Sequence, residues 1–310
     1  MVTLLIVASV LAQKLPAGPM ELHARELTVE PHGQRVTAIG DVVVHRGDAT
    51  VRCDRAVAVY TMQERASPAT GGGQRPQRPT AGRDLSHLEA SGHVFLERGT
   101  ARAQADAGSF DGPTGIYALT GHARAERGAD WLTGERLLLH DADDDLEATQ
   151  AEGVLRTVPS SLKPGGDQAA SLHFSADRLV AHEQGHRTEL LGHVVLTRGA
   201  LTIHASSLEA VAGDDGAVRT MHLAGDVQLA RDQRRATARQ ADYSATDGLL
   251  WLSGAPEIHD GDDTVRGQRI GYALESGDVR VEQAVARVQE RVSPGSGGGQ
   301  RPQHPVEHRR

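Results

Sequence analysis

Aromatic residues make up only 3% of this 310-residue chain, so a core built on rings is excluded and the interior must be thin and aliphatic. A single cysteine, Cys53, excludes an intrachain disulfide. It stands where the internal repeats carry Ala103 and Ala205, which makes it a small core residue rather than a reactive thiol. There is no HExxH, no Cys/His cluster at zinc spacing, no GxSxG, no phosphate loop and no dinucleotide fingerprint. Positive charge is not in excess. The net charge is −8 with acids and bases interspersed, so the basic face of a nucleic-acid binder is missing. No window reads as a capped amphipathic helix, and no apolar run is long enough to span a bilayer as one. The most apolar stretch is 1–12, MVTLLIVASVLA, which reads as a signal peptide cleaved before Gln13 although no basic residue precedes the run. The alternative is a buried first strand.

What the chain does have is repetition. The stretch Leu22–Gly47, LHARELTVEPHGQRVTAIGDVVVHRG, lies over Phe174–Gly199, FSADRLVAHEQGHRTELLGHVVLTRG, at an offset of 152 and without a gap. Beyond residue 85 the offset falls to 133, where Gly92 meets Gly225, Phe110 meets Tyr243 and Asp145 meets Asp278. The first copy therefore holds about nineteen extra residues, found in the Gly/Pro-rich stretch SPATGGGQRPQRPTAGR, which has no apolar alternation. The reading is a first unit over 20–159 with a disordered insertion at 64–84, a linker at 160–170, a second unit over 171–292 and a disordered tail at 293–310. The tail repeats much of the insertion: QERASPATGGGQRPQRP against QERVSPGSGGGQRPQHP.

Inside each copy runs a shorter unit, Gly-[Asp/His]-[Val/Ala]-x-apolar-x-Arg-[Gly/Asp], at Gly40, Gly92, Gly121, Gly192 and Gly225, with looser versions at Gly254 and Gly277. Gly-[Asp/His] is expected to be a turn. The residues after it alternate as in a half-buried strand, and Arg-Gly closes the strand in a second turn. The second and fourth positions after Gly are always apolar: Val42 and Val44, Val94 and Leu96, Ala123 and Ala125, Val194 and Leu196, Val227 and Leu229. The third varies through Val43, Phe95, Arg124, Val195 and Gln228. A position that accepts Arg and Gln faces water, so its neighbours face inward. Arg46, Arg98, Arg127, Arg198 and Arg231 share the inward parity at the end of each strand. They read either as a rim of cations able to meet phosphate or carboxylate, or as polar residues ending a hairpin strand. His93, His122 and His193 alternate with Asp41, Asp226 and Asp278, which suits a turn and not a metal ligand. Asp141, Asp143 and Asp145 imitate a calcium loop, but its obligatory glycine is replaced by Leu146.

These motifs resemble the OstA-like family, which includes the periplasmic lipopolysaccharide-transport proteins LptA and LptC and the N-terminal domain of LptD. The resemblance is carried by ALTGHARAERGADWLTGERLLLHD from Ala118, by HLAGDVQLARDQRRATARQADYSATDGLLWLSG from His222, and by the duplicated opening stretch. The chain departs from the family in length, in lacking the β-barrel of the outer-membrane member, and in carrying the aspartate after alanine, as at Asp106 and Asp177, but not at every repeat. The resemblance implies an all-β protein of two tandem β-jellyroll units, stacked antiparallel strands in an elongated open sheet. It implies a periplasmic bridge protein, not an enzyme, that needs no cofactor and carries the acyl chains of lipopolysaccharide toward the outer membrane. Val42, Val44, Val94, Leu96, Val194, Leu196, Val227 and Leu229 would line the lipid groove. Edge strands would join it to other jellyrolls of the bridge or to copies of itself, head to tail. Burying a chain of about a dozen carbons is worth up to about 9 kcal/mol, against about 0–1 kcal/mol for an exposed charge pair, so net charge does not forbid such a ligand. The alternative is a structural or polysaccharide-binding solenoid, which would pack its lumen shut.

Overall fold

The computed structural model describes residues 20–30, 34–63, 82–140, 142–155, 171–182, 184–214, 217–274 and 276–287. The stretches read from the sequence as signal peptide, linker and tail lie outside them. The described residues form twenty strands and no helix. They are β1 (Met20–His23), β2 (Glu26–Val29), β3 (Arg35–Arg46), β4 (Ala49–Gln63), β5 (Gly82–Arg98), β6 (Ala101–Asp111), β7 (Ile116–Arg127), β8 (Asp130–His140), β9 (Asp145–Leu155) and β10 (Leu172–His182). Next come β11 (Arg187–Arg198), β12 (Leu201–Ala212), β13 (Val218–Arg231), β14 (Arg234–Ser244), β15 (Leu249–Ser253), β16 (Glu257–Asp260), β17 (Asp263–Arg266), β18 (Arg269–Ala273), β19 (Val279–Glu282) and β20 (Val285–Arg287).

All belong to one antiparallel sheet. From β3 to β14 each strand pairs with the strands before and after it in sequence. At either end the long strand is split: β1 and β2 pair with the two halves of β3, and β15 and β16 with those of β14. The sheet continues from one copy of the repeat into the other, because β9 and β10 pair directly from Leu155↔Leu172 to Leu146↔Ala181. Of the expected insertion at 64–84, residues 64–81 lie outside the described residues. Gly82, Arg83 and Asp84 extend β5 and pair with Gln63, Met62 and Thr61 of β4.

The Gly-[Asp/His] pairs are not turns between strands. They lie in the middle of long strands, and in each unit the chain reverses instead at the Arg-Gly end, as at Gly47-Asp48, Gly99-Thr100 and Gly199-Ala200. Both residues of each pair have positive φ: Gly92 at 73° and His93 at 49°, Gly192 at 76° and His193 at 46°. The neighbouring strand opposes them with one residue fewer, so the register slips by one between Ser91 and Val94 and again between Leu191 and Val194. This two-against-one count is a β-bulge, which bends a strand. On the strands that carry the pair the inward residues flanking it are four apart, as in Ala90 and Val94 or Leu223 and Val227. On even-numbered strands they are three apart, as in Ala176 and Leu179 or Ala205 and Leu208. The extra residue keeps both halves of every strand facing one side. Gly277 is the exception. It closes the hairpin between β18 and β19, its amide donating to the Ala273 carbonyl.

One face of the sheet is thereby buried with no second layer to cover it among the described residues. Leu223, Val227, Leu250, Leu252, Ile270 and Tyr272 are all fully enclosed. A single sheet can do this only by folding along the line of bulges, so that the two arms of each strand cover each other. The resulting interior divides into two clusters. The larger runs from β6 to β18, the smaller gathers Ala38, Val42, Cys53, Ala56, Ala90 and Val94, and Leu119 touches both. Cys53 is buried as expected, and burial pushes its thiol pKa up.

Candidate functional site

The inward parity read from the sequence holds through the corner. Val42, Val94, Val194, Leu196, Val227 and Leu229 are buried on the concave face, and Val44 and Leu96 are half-buried there. The two copies differ in what surrounds these residues. In the second copy Val194, Leu196, Val227 and Leu229 sit inside the continuous core. In the first copy an apolar cavity of about 120 Å³ opens at the junction of the two clusters. Val51 of β4, Val94 and Leu96 of β5, and Phe110, Tyr117 and Leu119 of β6 and β7 form its walls, with the rings of Phe110 and Tyr117 stacked at 4.4 Å.

The repeat explains why this opening falls in the first copy. The lining residues Ala49, Val51, Ala90 and Gly108 correspond to Leu201, Ile203, Leu223 and Ala241 in the second. Each second-copy residue is larger, and Ile203, Leu223 and Ala241 are buried. Tyr117, which corresponds to Leu250, is the one lining residue that works the other way. The periodicity of the sequence located the concave face. The comparison of residue sizes between copies, which would have located the opening, is legible only once the register shows that these positions meet.

The strand-end arginines fall on one level of the sheet. Cα pairing runs from Arg46 through Ala49 to Arg98, on through Ala101 to Arg127, and from Arg198 through Leu201 to Arg231. Alternate strands place successive arginines about 9–10 Å apart. Arg98, Arg127, Arg198 and Arg231 are half-buried, and the side chain of Arg46 lies outside the described residues. Arg98 lines the apolar cavity, is only 15% exposed, and donates from Nε to both carboxylate oxygens of Asp48 at 3.1 and 3.2 Å. Arg231 donates to the Leu274 carbonyl at 3.2 Å.

On the outer side of the corner each bulge histidine meets an aspartate of the preceding strand. Nδ1 of His93, His122 and His193 lies 2.9, 2.8 and 2.8 Å from Asp54, Asp106 and Asp177. At Gly40 the equivalent pair is Arg25–Asp41 at 2.8 Å. The same aspartates lie against the bulge glycines, so a Cβ on Gly92, Gly121 or Gly192 would come within 2.2, 2.4 and 2.2 Å of a carboxylate oxygen. These pairs clasp the bend. They hold one histidine and one carboxylate each, with the imidazoles about nine-tenths exposed, and the described residues contain no group of ligands fit for a metal. The Asp54 carboxylate raises the pKa of His93 through their hydrogen bond and charge. The sequence pointed to Asp106 and Asp177 but not to their partners. The equal spacing of Asp106–His122 and Asp177–His193 was the available signal. Asp145 is the first residue of β9, beyond the turn at 142–144, and meets His182 at 2.7 Å. Asp141 lies outside the described residues.

The family described as "LptA/(LptD N-terminal domain) LPS transport protein" matches residues 21–145 and 173–278, some three quarters of the chain. No curated protein matches. Among solved structures, LptH, the LptA-homologous periplasmic component of the lipopolysaccharide transport device of Pseudomonas aeruginosa, is similar at 13% identity. Its TM-score is 0.36, over 43% of this chain and 100% of that one. With two family matches that stop at either side of the linker and a sheet that does not, the chain belongs to the LptA and LptD N-terminal-domain family of lipopolysaccharide transport proteins.

Proposed function

We propose that the protein is a periplasmic bridge component that holds an acyl chain of lipopolysaccharide in the first copy of its repeat and uses the second copy as a closed spacer. The observation that carries this reading is the apolar cavity beside Val94 and Leu96, set against the filled interior at the equivalent residues Val227 and Leu229. The cavity is smaller than the roughly 300–1,000 Å³ of a site that encloses a whole small ligand. It suits part of one chain, each buried methylene contributing about 0.8 kcal/mol. Arg98, at its wall, is placed to meet an anionic headgroup once Asp48 is displaced. Arg46, Arg127, Arg198 and Arg231 extend that rim along the sheet.

Transport through a bridge also requires joints. Among the described residues, the large apolar side chains left exposed are Leu27, Val29 and Ile39 in β2 and β3, and Val279 and Val285 in β19 and β20. They mark the two ends of the sheet, where unpaired edges can accept a strand from another jellyroll.

The test is to fill the cavity with the second copy's own residues. A photo-crosslinking residue at Leu96 captures lipopolysaccharide in cells, whereas one at the outward Arg124 or Gln228, or at Leu229 in the filled interior, does not. Ala49→Leu combined with Ala90→Leu abolishes the capture at Leu96 and leaves the melting temperature unchanged or higher. Capture that survives this filling, or that is equal at inward and outward probes, removes the lipid reading.

A further inference from the structure

A second pocket, of about 490 Å³, lies at the other end of the sheet and is polar. It is lined by Arg231, Asp232, Gln233 and Arg234 at the β13–β14 turn, by Asp260 of β16, by Tyr272 of β18, and by Ser276 and Gly277. Arg234 anchors it. Nε and Nη2 donate to one carboxylate oxygen of Asp260 at 3.0 and 2.6 Å, and Nη1 donates to the Gly277 carbonyl at 2.6 Å. A guanidinium has five N–H donors, so two remain after these bonds. Tyr272 is fully enclosed, and its hydroxyl has no hydrogen-bond partner. That hydroxyl would lie 3.5 Å from a Cβ added at Gly277, so glycine leaves the space open in front of it.

The repeat shows that this arrangement is peculiar to the second copy. Tyr272, Arg234 and Asp260 correspond to Leu139, Ala101 and Arg127 in the first. Leu139 fills the same buried position with no polar atom, so the fold does not need a hydroxyl there. A buried hydroxyl without a partner is costly, and a ligand oxygen that met it would remove the cost.

We propose that this pocket binds a saccharide. Ring hydroxyls both donate and accept, and the site offers both kinds of group: the remaining Arg234 donors, the second Asp260 oxygen, the Gln233 amide and the Tyr272 hydroxyl. A phosphate fits less well. The two arginines are balanced by Asp232 and Asp260, and Arg234 is already engaged by a carboxylate. The site is separate from the acyl-chain cavity and does not depend on it.

The full-length protein is titrated with a deacylated, dephosphorylated core oligosaccharide and, separately, with inorganic phosphate, and binding is followed by amide chemical shifts and calorimetry. The oligosaccharide should move the signals of residues 231–234, 260, 272 and 276–277. Tyr272→Phe, which removes only the orphan hydroxyl, should weaken binding about ten-fold without lowering the melting temperature. An oligosaccharide that does not bind, that binds Tyr272→Phe equally well, or that shifts residues elsewhere overturns the proposal. So does phosphate that occupies the pocket in its place. Because the probe carries no acyl chains, these outcomes are independent of lipid capture at Leu96.

Discussion

Replacing Gly192 by alanine tests whether the bulge corners hold the sheet folded. Gly192 has φ +76°, and a Cβ there would stand 2.2 Å from Oδ2, 2.8 Å from Cγ and 2.9 Å from Cβ of Asp177. Rotating the Asp177 side chain clears its carboxylate but not its Cβ, so backbone must move as well. Gly199 is the internal control. It ends the same strand at φ +57°, but nothing lies within 4 Å of its added Cβ. Gly199→Ala therefore costs only the left-handed conformation, about 1–2 kcal/mol. Gly192→Ala costs that and an overpacking contribution of about 1–3 kcal/mol. At roughly 2–4 °C per kcal/mol for a protein of this size, Gly192→Ala should melt several degrees below Gly199→Ala, and both below wild type. Thermal unfolding by circular dichroism measures the difference. Placing Gly192→Ala on an Asp177→Ala background should shrink it, since two of the three close contacts are gone. Equal melting temperatures for Gly192→Ala and Gly199→Ala would refute the idea that the aspartate packs against the corner.

The His93 clasp gives a pH dependence. Its folded pKa is raised by Asp54, so the stabilisation is complete below the unfolded value of about 6.5 and fades as pH rises through the folded value. Asp54→Asn should bring the His93 titration, followed by its ring proton resonances, back toward the ordinary midpoint, and an unchanged midpoint would contradict the assignment. End-to-end association should appear in analytical ultracentrifugation as reversible, concentration-dependent oligomers. Val285→Lys should weaken it by placing a charge on an exposed edge, and a strict monomer at high concentration would count against the bridge reading.

The fold was legible in the sequence because its cause is local. Strict alternation after each Gly-[Asp/His] pair fixes which side chains turn inward, and Val42, Val94, Val194 and Val227 all do. The bulges were half legible. Glycine signalled positive φ correctly, but positive φ serves a reverse turn and a mid-strand bulge equally, and only the pairing partner decides between them. That partner, as in Asp106 opposite Gly121, sits a whole strand earlier and leaves no pattern within the window that alternation scans. The cavity and the polar pocket were illegible for a different reason. Both arise from differences between equivalent residues, Ala90 against Leu223 and Leu139 against Tyr272, in a chain whose first impression is sameness.

Since every strand from β4 to β13 pairs only with its sequence neighbours, the sheet has an order of assembly built into it. A chain delivered end-first can complete each rung as it emerges, because nothing downstream is needed to close the rung before it. Each new strand caps its predecessor and offers a template to its successor. At every stage of growth one edge is open, and the next segment of the same molecule is the nearest thing able to take it. That open edge is also what a joint between molecules would use, so pairing within the chain and pairing with a neighbour would draw on one set of backbone groups.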